Sequence, residues 1–104
     1  MGKYVLVYKG GGMGETEAEQ QEAMTQWMNW FGSLGDSVVD GGNPFGPSSS
    51  ISSDGAVSDA GASSLTGYSI VSAGSLSEAC DKAKGCPVLS GGGSIEVYEA
   101  MPIG

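Results

Sequence analysis

Histidine is absent from this 104-residue chain, and basic residues of any kind are scarce. Without histidine, the usual general base of Ser-His-Asp or Cys-His catalysis is missing. Haem ligation through histidine is excluded for the same reason. Two cysteines without histidine do not build a common zinc site, so no metal is implied, and no motif calls for a cofactor. The four basic residues are all lysines (Lys3, Lys9, Lys82, Lys84) against twelve acidic ones, a formal net charge of −8. Such a surface repels phosphate backbones and anionic headgroups, which argues against nucleic-acid and membrane partners. The longest strongly apolar run, Tyr4–Tyr8, is far too short to span a bilayer, and the start of the chain lacks the apolar core of a signal peptide. The expected compartment is the cytoplasm, where Cys80 and Cys86 are reduced thiols; their spacing is not that of a C-x-x-C redox pair.

What is present reads as one domain covering residues 1–104. The clearest punctuation lies in Gly67–Met101. Ser75 and Glu78 form an S-x-x-E capping box, and Leu76, Ala79, Cys80 and Ala83 then share one helix face, which predicts a small buried thiol at Cys80. Gly85 and Pro87 end that helix, and Tyr68–Ser72 and Ser94–Tyr98 flank it as strands. Thr16 and Glu19 repeat the capping box ahead of a helix over Glu17–Leu34. Its apolar stripe is Met24, Trp27, Met28, Phe31 and Leu34, with Ala23 and Trp30 at the edge. Trp30, at that margin, is positioned to face a ligand or a partner.

A first strand at Tyr4–Tyr8 and a short one at Ser37–Asp40 bracket that helix. Loop signals fill Gly41–Pro47, Asp54-Gly55 marks a hairpin within Ile51–Val57, and Gly61–Ser64 is another connection. The order is β-α-β, hairpin, β-α-β. It predicts an α+β, ferredoxin-like protomer with two helices on one face of an antiparallel sheet. The Tyr4–Tyr8 strand is apolar on both sides, so both faces of the sheet are expected to be covered, the second by another copy of the chain.

The motifs offer little chemistry. Gly10–Gly14 lies between strand and helix, as phosphate loops do, but it lacks Gly-Lys-Ser/Thr and the third glycine of G-x-G-x-x-G. Glu15, Glu17 and Glu19 satisfy the helix dipole and repel phosphate. Asp54 and Asp40 are explained by turns. Glu96 differs: it shares a strand face with Tyr98, and if that face lines a cavity its pKa rises and it can act as acid or base. Tyr68 could direct its hydroxyl into the same pocket.

Tyr4–Tyr8, the Trp27 helix, Gly67-Tyr68-Ser69-Ile70-Val71, the Ser75–Gly85 helix, Cys86-Pro87 and Gly92-Gly93-Ser94-Ile95-Glu96-Val97 together resemble the YCII-related, or DGPF-domain, proteins. The resemblance implies a dimeric α/β barrel, in which two ferredoxin-like sheets pack face to face. It aligns Val57-Ser58-Asp59 with the start of the family signature and Asp59 with its aspartate. The Gly-Pro-Phe that should follow is absent, and so is the histidine of the family's histidine–aspartate pair. Two functions follow as expectations. One is a non-enzymatic homodimeric module, ligand-binding or accessory, with a cleft lined by Asp59, Tyr68, Glu96, Asn43 and Trp30. The other is a small-molecule lyase or isomerase. There a carboxylate, Asp59 or Glu96, moves a proton beside a carbonyl and Tyr68 donates a hydrogen bond.

Overall fold

Alternating apolar residues along two strands build the centre of the molecule. In chain order the elements are β1 (Gly2–Lys9), α1 (Glu17–Leu34), a 3-10 turn (Gly35–Ser37), β2 (Val38–Asp40), β3 (Ser49–Ile51), β4 (Val57–Asp59), β5 (Leu65–Ala73), α2 (Leu76–Ala83), α3 (Pro87–Ser90) and β6 (Ser94–Ala100). The structure, a computed structural model, describes residues 2–11, 14–59 and 65–103. Gly12 and Met13 of the glycine-rich loop and the connection Gly61–Ser64 therefore lie outside the described residues. The fold is α+β, with a four-stranded antiparallel sheet in the order β2-β5-β1-β6.

Register decides which side chains face the helices. Tyr4 pairs with Val71, Leu6 with Ser69 and Tyr8 with Gly67, and Leu6 faces Val97 on the other side. This is the covered face. Tyr4, Leu6, Tyr8, Val71 and Ala73 are buried there with Ala79 and Ala83 of α2, Trp30 of α1, and Cys86 and Val88 around α3. Trp27, Phe31, Leu34, Ile95 and Val97 pack against this cluster while staying partly exposed.

Both long helices start as their capping boxes predict. The Glu19 and Glu78 N–H groups each donate to the cap hydroxyl, Thr16 or Ser75, at 3.1 Å. Each glutamate side chain in turn accepts from the residue before the cap, Glu15 N–H at 3.1 Å or Gly74 N–H at 2.8 Å. Orphan donors at both helix starts are thereby satisfied.

Three features differ from expectation. Trp30 is not marginal: it is 6% exposed, and its indole N–H donates to the Lys82 carbonyl at 3.0 Å. Gly85 leaves room for the indole, since a Cβ there would stand 3.1 Å from the Trp30 ring. Cys80 is only half-buried, whereas Cys86 is buried. Finally, Pro87 does more than follow a helix end. It occupies the first turn of α3, where its missing N–H has no cost.

Among the described residues, only one face of the sheet is covered. The other carries Val5, Val7, Tyr68, Ile70 and Glu96, all half-buried, and Tyr98, which is exposed. The β3–β4 hairpin forms a separate two-stranded ladder, with Ile51 opposite Val57 and every residue of both strands exposed. Its turn is closed by Asp54, whose carboxylate accepts from Ala56 N–H at 3.0 Å and from the Ser52 hydroxyl. The molecule is a broad slab, 43 × 41 × 18 Å, one sheet layer and one helix layer thick. Among the described residues no helix is long and apolar enough to cross a membrane.

Candidate functional site

The face of β1 that carries Tyr8 also floors a cavity of about 740 Å³. That volume lies within the range of small-molecule sites, roughly 300–1,000 Å³. The cavity exists because α1 does not close onto the sheet along its whole length. Its second half is anchored by Trp30, Phe31 and Leu34, and it meets the body of the protein mainly at α3 and the 3-10 turn. Nearer its start, Glu19, Glu22, Ala23, Met24, Gln26, Trp27 and Met28 form a wall.

Opposite that wall, Gly41–Pro44 close the cavity beside β5. The Phe45 N–H donates to the Thr66 carbonyl at 2.9 Å, which ties this loop to β5 past the end of β2. Gly42 is required for so close an approach. Its φ is +76°, and a Cβ there would stand 1.7 Å from the Tyr68 carbonyl oxygen. Asp40 fixes the turn by accepting from the Gly42 N–H at 2.8 Å. Glycines 10, 11 and 14 and the α3 segment complete the rim.

Aromatic rings shape the interior. Trp27 stands edge-on to both Tyr8 and Trp30, with centroids 5.2 and 5.7 Å away and planes 79° apart in each case. Phe31 lies 5.8 Å from Trp27. Met24 and Met28, one helical turn apart, are 54% and 70% exposed. Flexible thioethers over aromatic rings are suited to adapting around an apolar guest.

The polar floor is a short relay. Tyr8 donates its phenol hydrogen to Ser69 Oγ at 2.7 Å, and Ser69 donates onward to the Gly41 carbonyl at 2.7 Å. Burial pushes the Tyr8 phenol pKa well up, partly offset by the Ser69 bond, so the group is a neutral phenol at any ordinary pH. Burial likewise pushes the Cys86 thiol up to about 11. A buried, protonated thiol is a poor nucleophile.

The residues expected to share one cleft are spread across the molecule. Asn43 lines the cavity. Tyr68 borders it too, yet strand alternation turns its ring to the opposite face, where it stacks on Phe45 at 5.8 Å and 19°. Trp30 lies in the core behind Trp27. Asp59 ends the ladder of the separate hairpin, opposite Ser49.

Glu96 stands on the uncovered face and accepts from Lys9 Nζ at 2.8 Å and from the Tyr98 hydroxyl. Those bonds, that of Lys9 first, lower its pKa, the reverse of the rise a cavity carboxylate would show. Residues not singled out as a site from sequence, notably Tyr8, Met24, Trp27, Met28 and Phe31, form it instead. The signal of Tyr8 is the apolar run of β1, and that of the other four is the apolar stripe of α1, a pattern that suits a packed core equally well. Among the described residues no group of three or more metal-ligating side chains comes together. No protein-family model matches the chain, and no curated protein or solved structure matches it either.

Proposed function

We propose that this protein is a non-enzymatic small-ligand-binding module whose site is the cavity between α1 and the sheet. The observation that carries the reading is the cavity itself: about 740 Å³, walled by Trp27, Phe31, Met24 and Met28 over a neutral hydroxyl floor. Apolar walls with a few convergent polar groups are the usual make-up of a ligand pocket. The lyase or isomerase alternative has less support. Neither Asp59 nor Glu96 is among the described lining residues, and Lys9 holds the Glu96 carboxylate in its charged form.

Methyl-labelled methionine gives a site-resolved test. Titration with 2-methoxynaphthalene is expected to shift the Met24 and Met28 methyl resonances saturably and leave that of Met101 in place. No shift up to the solubility limit would count against the reading.

The proposal extends to architecture. The protomer is read as ferredoxin-like, of the kind seen in the YCII-related proteins, and as one half of a homodimeric α/β barrel. Supporting this, the four main strands, read across the sheet, come second, third, first and fourth in chain order. The uncovered face with Val5, Val7, Ile70 and Tyr98 supports a second copy packed upon it. Light scattering after size exclusion should return twice the chain mass at micromolar concentration, and Val7→Asp should return one. A monomeric wild type would end the dimer reading and leave the ligand reading intact. A cytoplasmic location belongs to the same proposal, supported by the two free thiols.

A further inference from the structure

Among the described residues, four of the five hydroxyl-bearing side chains around the cavity spend their hydrogens on the protein; the fifth, Tyr68, turns its ring to the opposite face of the sheet. Tyr8 donates to Ser69, Ser69 to the Gly41 carbonyl at 2.7 Å, Thr66 to the Gly10 carbonyl at 3.1 Å, and Ser90 to the Pro87 carbonyl at 2.8 Å. Ser69 is fully buried, so what is left for a guest is oxygen lone pairs on Tyr8, Thr66 and Ser90. The amides of Asn43 and Gln26 can turn either end toward a ligand and so favour neither donors nor acceptors.

Charge points the same way. Glu19 and Glu22 line the cavity, and none of the four lysines does. Among the described residues Glu22 makes no ion pair, so its charge is not neutralised by a side chain. The chain contains no arginine or histidine that could answer a carboxylate or phosphate. An anion would give up its water here and meet two carboxylates in return.

The apolar surface narrows the choice further. Trp27 and Tyr8 present planes 79° apart with centroids 5.2 Å apart. A flat ring can lie against one of them and meet the edge of the other, the arrangement aromatic quadrupoles favour.

We infer that the cavity takes a small aromatic molecule whose polar end donates hydrogen bonds and carries no negative charge, a phenol-like or amine-like aromatic as opposed to an aromatic acid. This rests on the ligand-binding reading of the same cavity. It adds what that reading lacks, a rule for which molecules enter.

Four probes on one ring system test the rule: 2-naphthol, 2-naphthylmethylamine, 2-methoxynaphthalene and 2-naphthoate, each followed through the Met24 and Met28 methyl shifts. The two donors are expected to bind roughly three- to tenfold more tightly than the methoxy compound, the span that one hydrogen bond supplies. Naphthoate is expected to be the weakest. Glu22→Gln, a change on an exposed helix surface, should narrow the gap between amine and acid and leave naphthol against methoxynaphthalene unchanged. Naphthol above amine would identify the uncharged acceptors as the selecting groups, and amine above naphthol the carboxylates; both orders support the rule. Naphthoate equal to or tighter than the donors, or methoxynaphthalene equal to them, overturns it while leaving the cavity a binding site. Failure of all four probes to move either methyl overturns the ligand reading itself.

Discussion

Helices α1 and α2 begin alike and end in different relations to the sheet. Both open on a hydroxyl cap with a glutamate three residues on, and both caps make the same pair of hydrogen bonds. Thereafter α2 offers the sheet Ala79 and Ala83, 0% and 5% exposed, and closes upon it. Helix α1 offers Trp27, Trp30 and Phe31, whose rings fill one end of the gap and hold the other end open. Capping chemistry decides where a helix starts. The size of the side chains beneath it decides whether it seals a core or roofs a cavity.

The largest expected way to break this contrast is Trp30→Ala. Removing a buried indole that also bonds the Lys82 carbonyl should cost roughly 3–5 kcal/mol in denaturant unfolding. A loss below about 1 kcal/mol would mean that α1 is anchored elsewhere. Next is a matched pair. Ala79→Leu pushes three extra carbons into a sealed contact and should cost roughly 1–3 kcal/mol. Ala23→Leu, facing the cavity, should stay within about 0.5 kcal/mol while weakening probe binding. Equal costs at the two alanines would erase the distinction drawn between the helices.

Smaller still, Thr16→Ala and Ser75→Ala should each cost about 1 kcal/mol, and by similar amounts, since the caps share one geometry. The smallest effect is electrostatic and lies off both helices. Glu96 has a lowered pKa in the folded protein, so its contribution to stability is complete above the ordinary carboxylate range. That contribution is lost as pH falls through the folded value. Glu96→Gln should therefore make the decline of melting temperature in acid slightly shallower. Because the pair is exposed, added salt should shrink the difference.

Local signals carried far in this chain. Thr16, Ser75 and Gly35 mark helix boundaries that the structure reproduces, and Asp54-Gly55 marks the hairpin turn. Helix α3 was hidden because a proline after Cys86 serves equally as a stop for one helix and a start for the next. The cavity was hidden for a different reason. Periodicity identifies an apolar face but not how closely a neighbour approaches it, so a stripe lining a void reads the same as one packed in a core. Glu96 and Tyr68 were correctly recognisable as strand residues. Which side of the sheet they take depends on pairing with Val7, a long-range fact that spacing alone does not carry.

The pairing of Trp27 with Trp30 also gives the molecule an optical property. These are the chain's two tryptophans, one bordering the cavity and the other sealed behind it, with ring centroids 5.7 Å apart. At that separation the indoles exchange excitation, and a quencher that reaches the outer ring also darkens the inner one. A Trp30→Phe protein would emit from the cavity wall alone. Its colour and lifetime would then register each guest that arrives, with no dye attached.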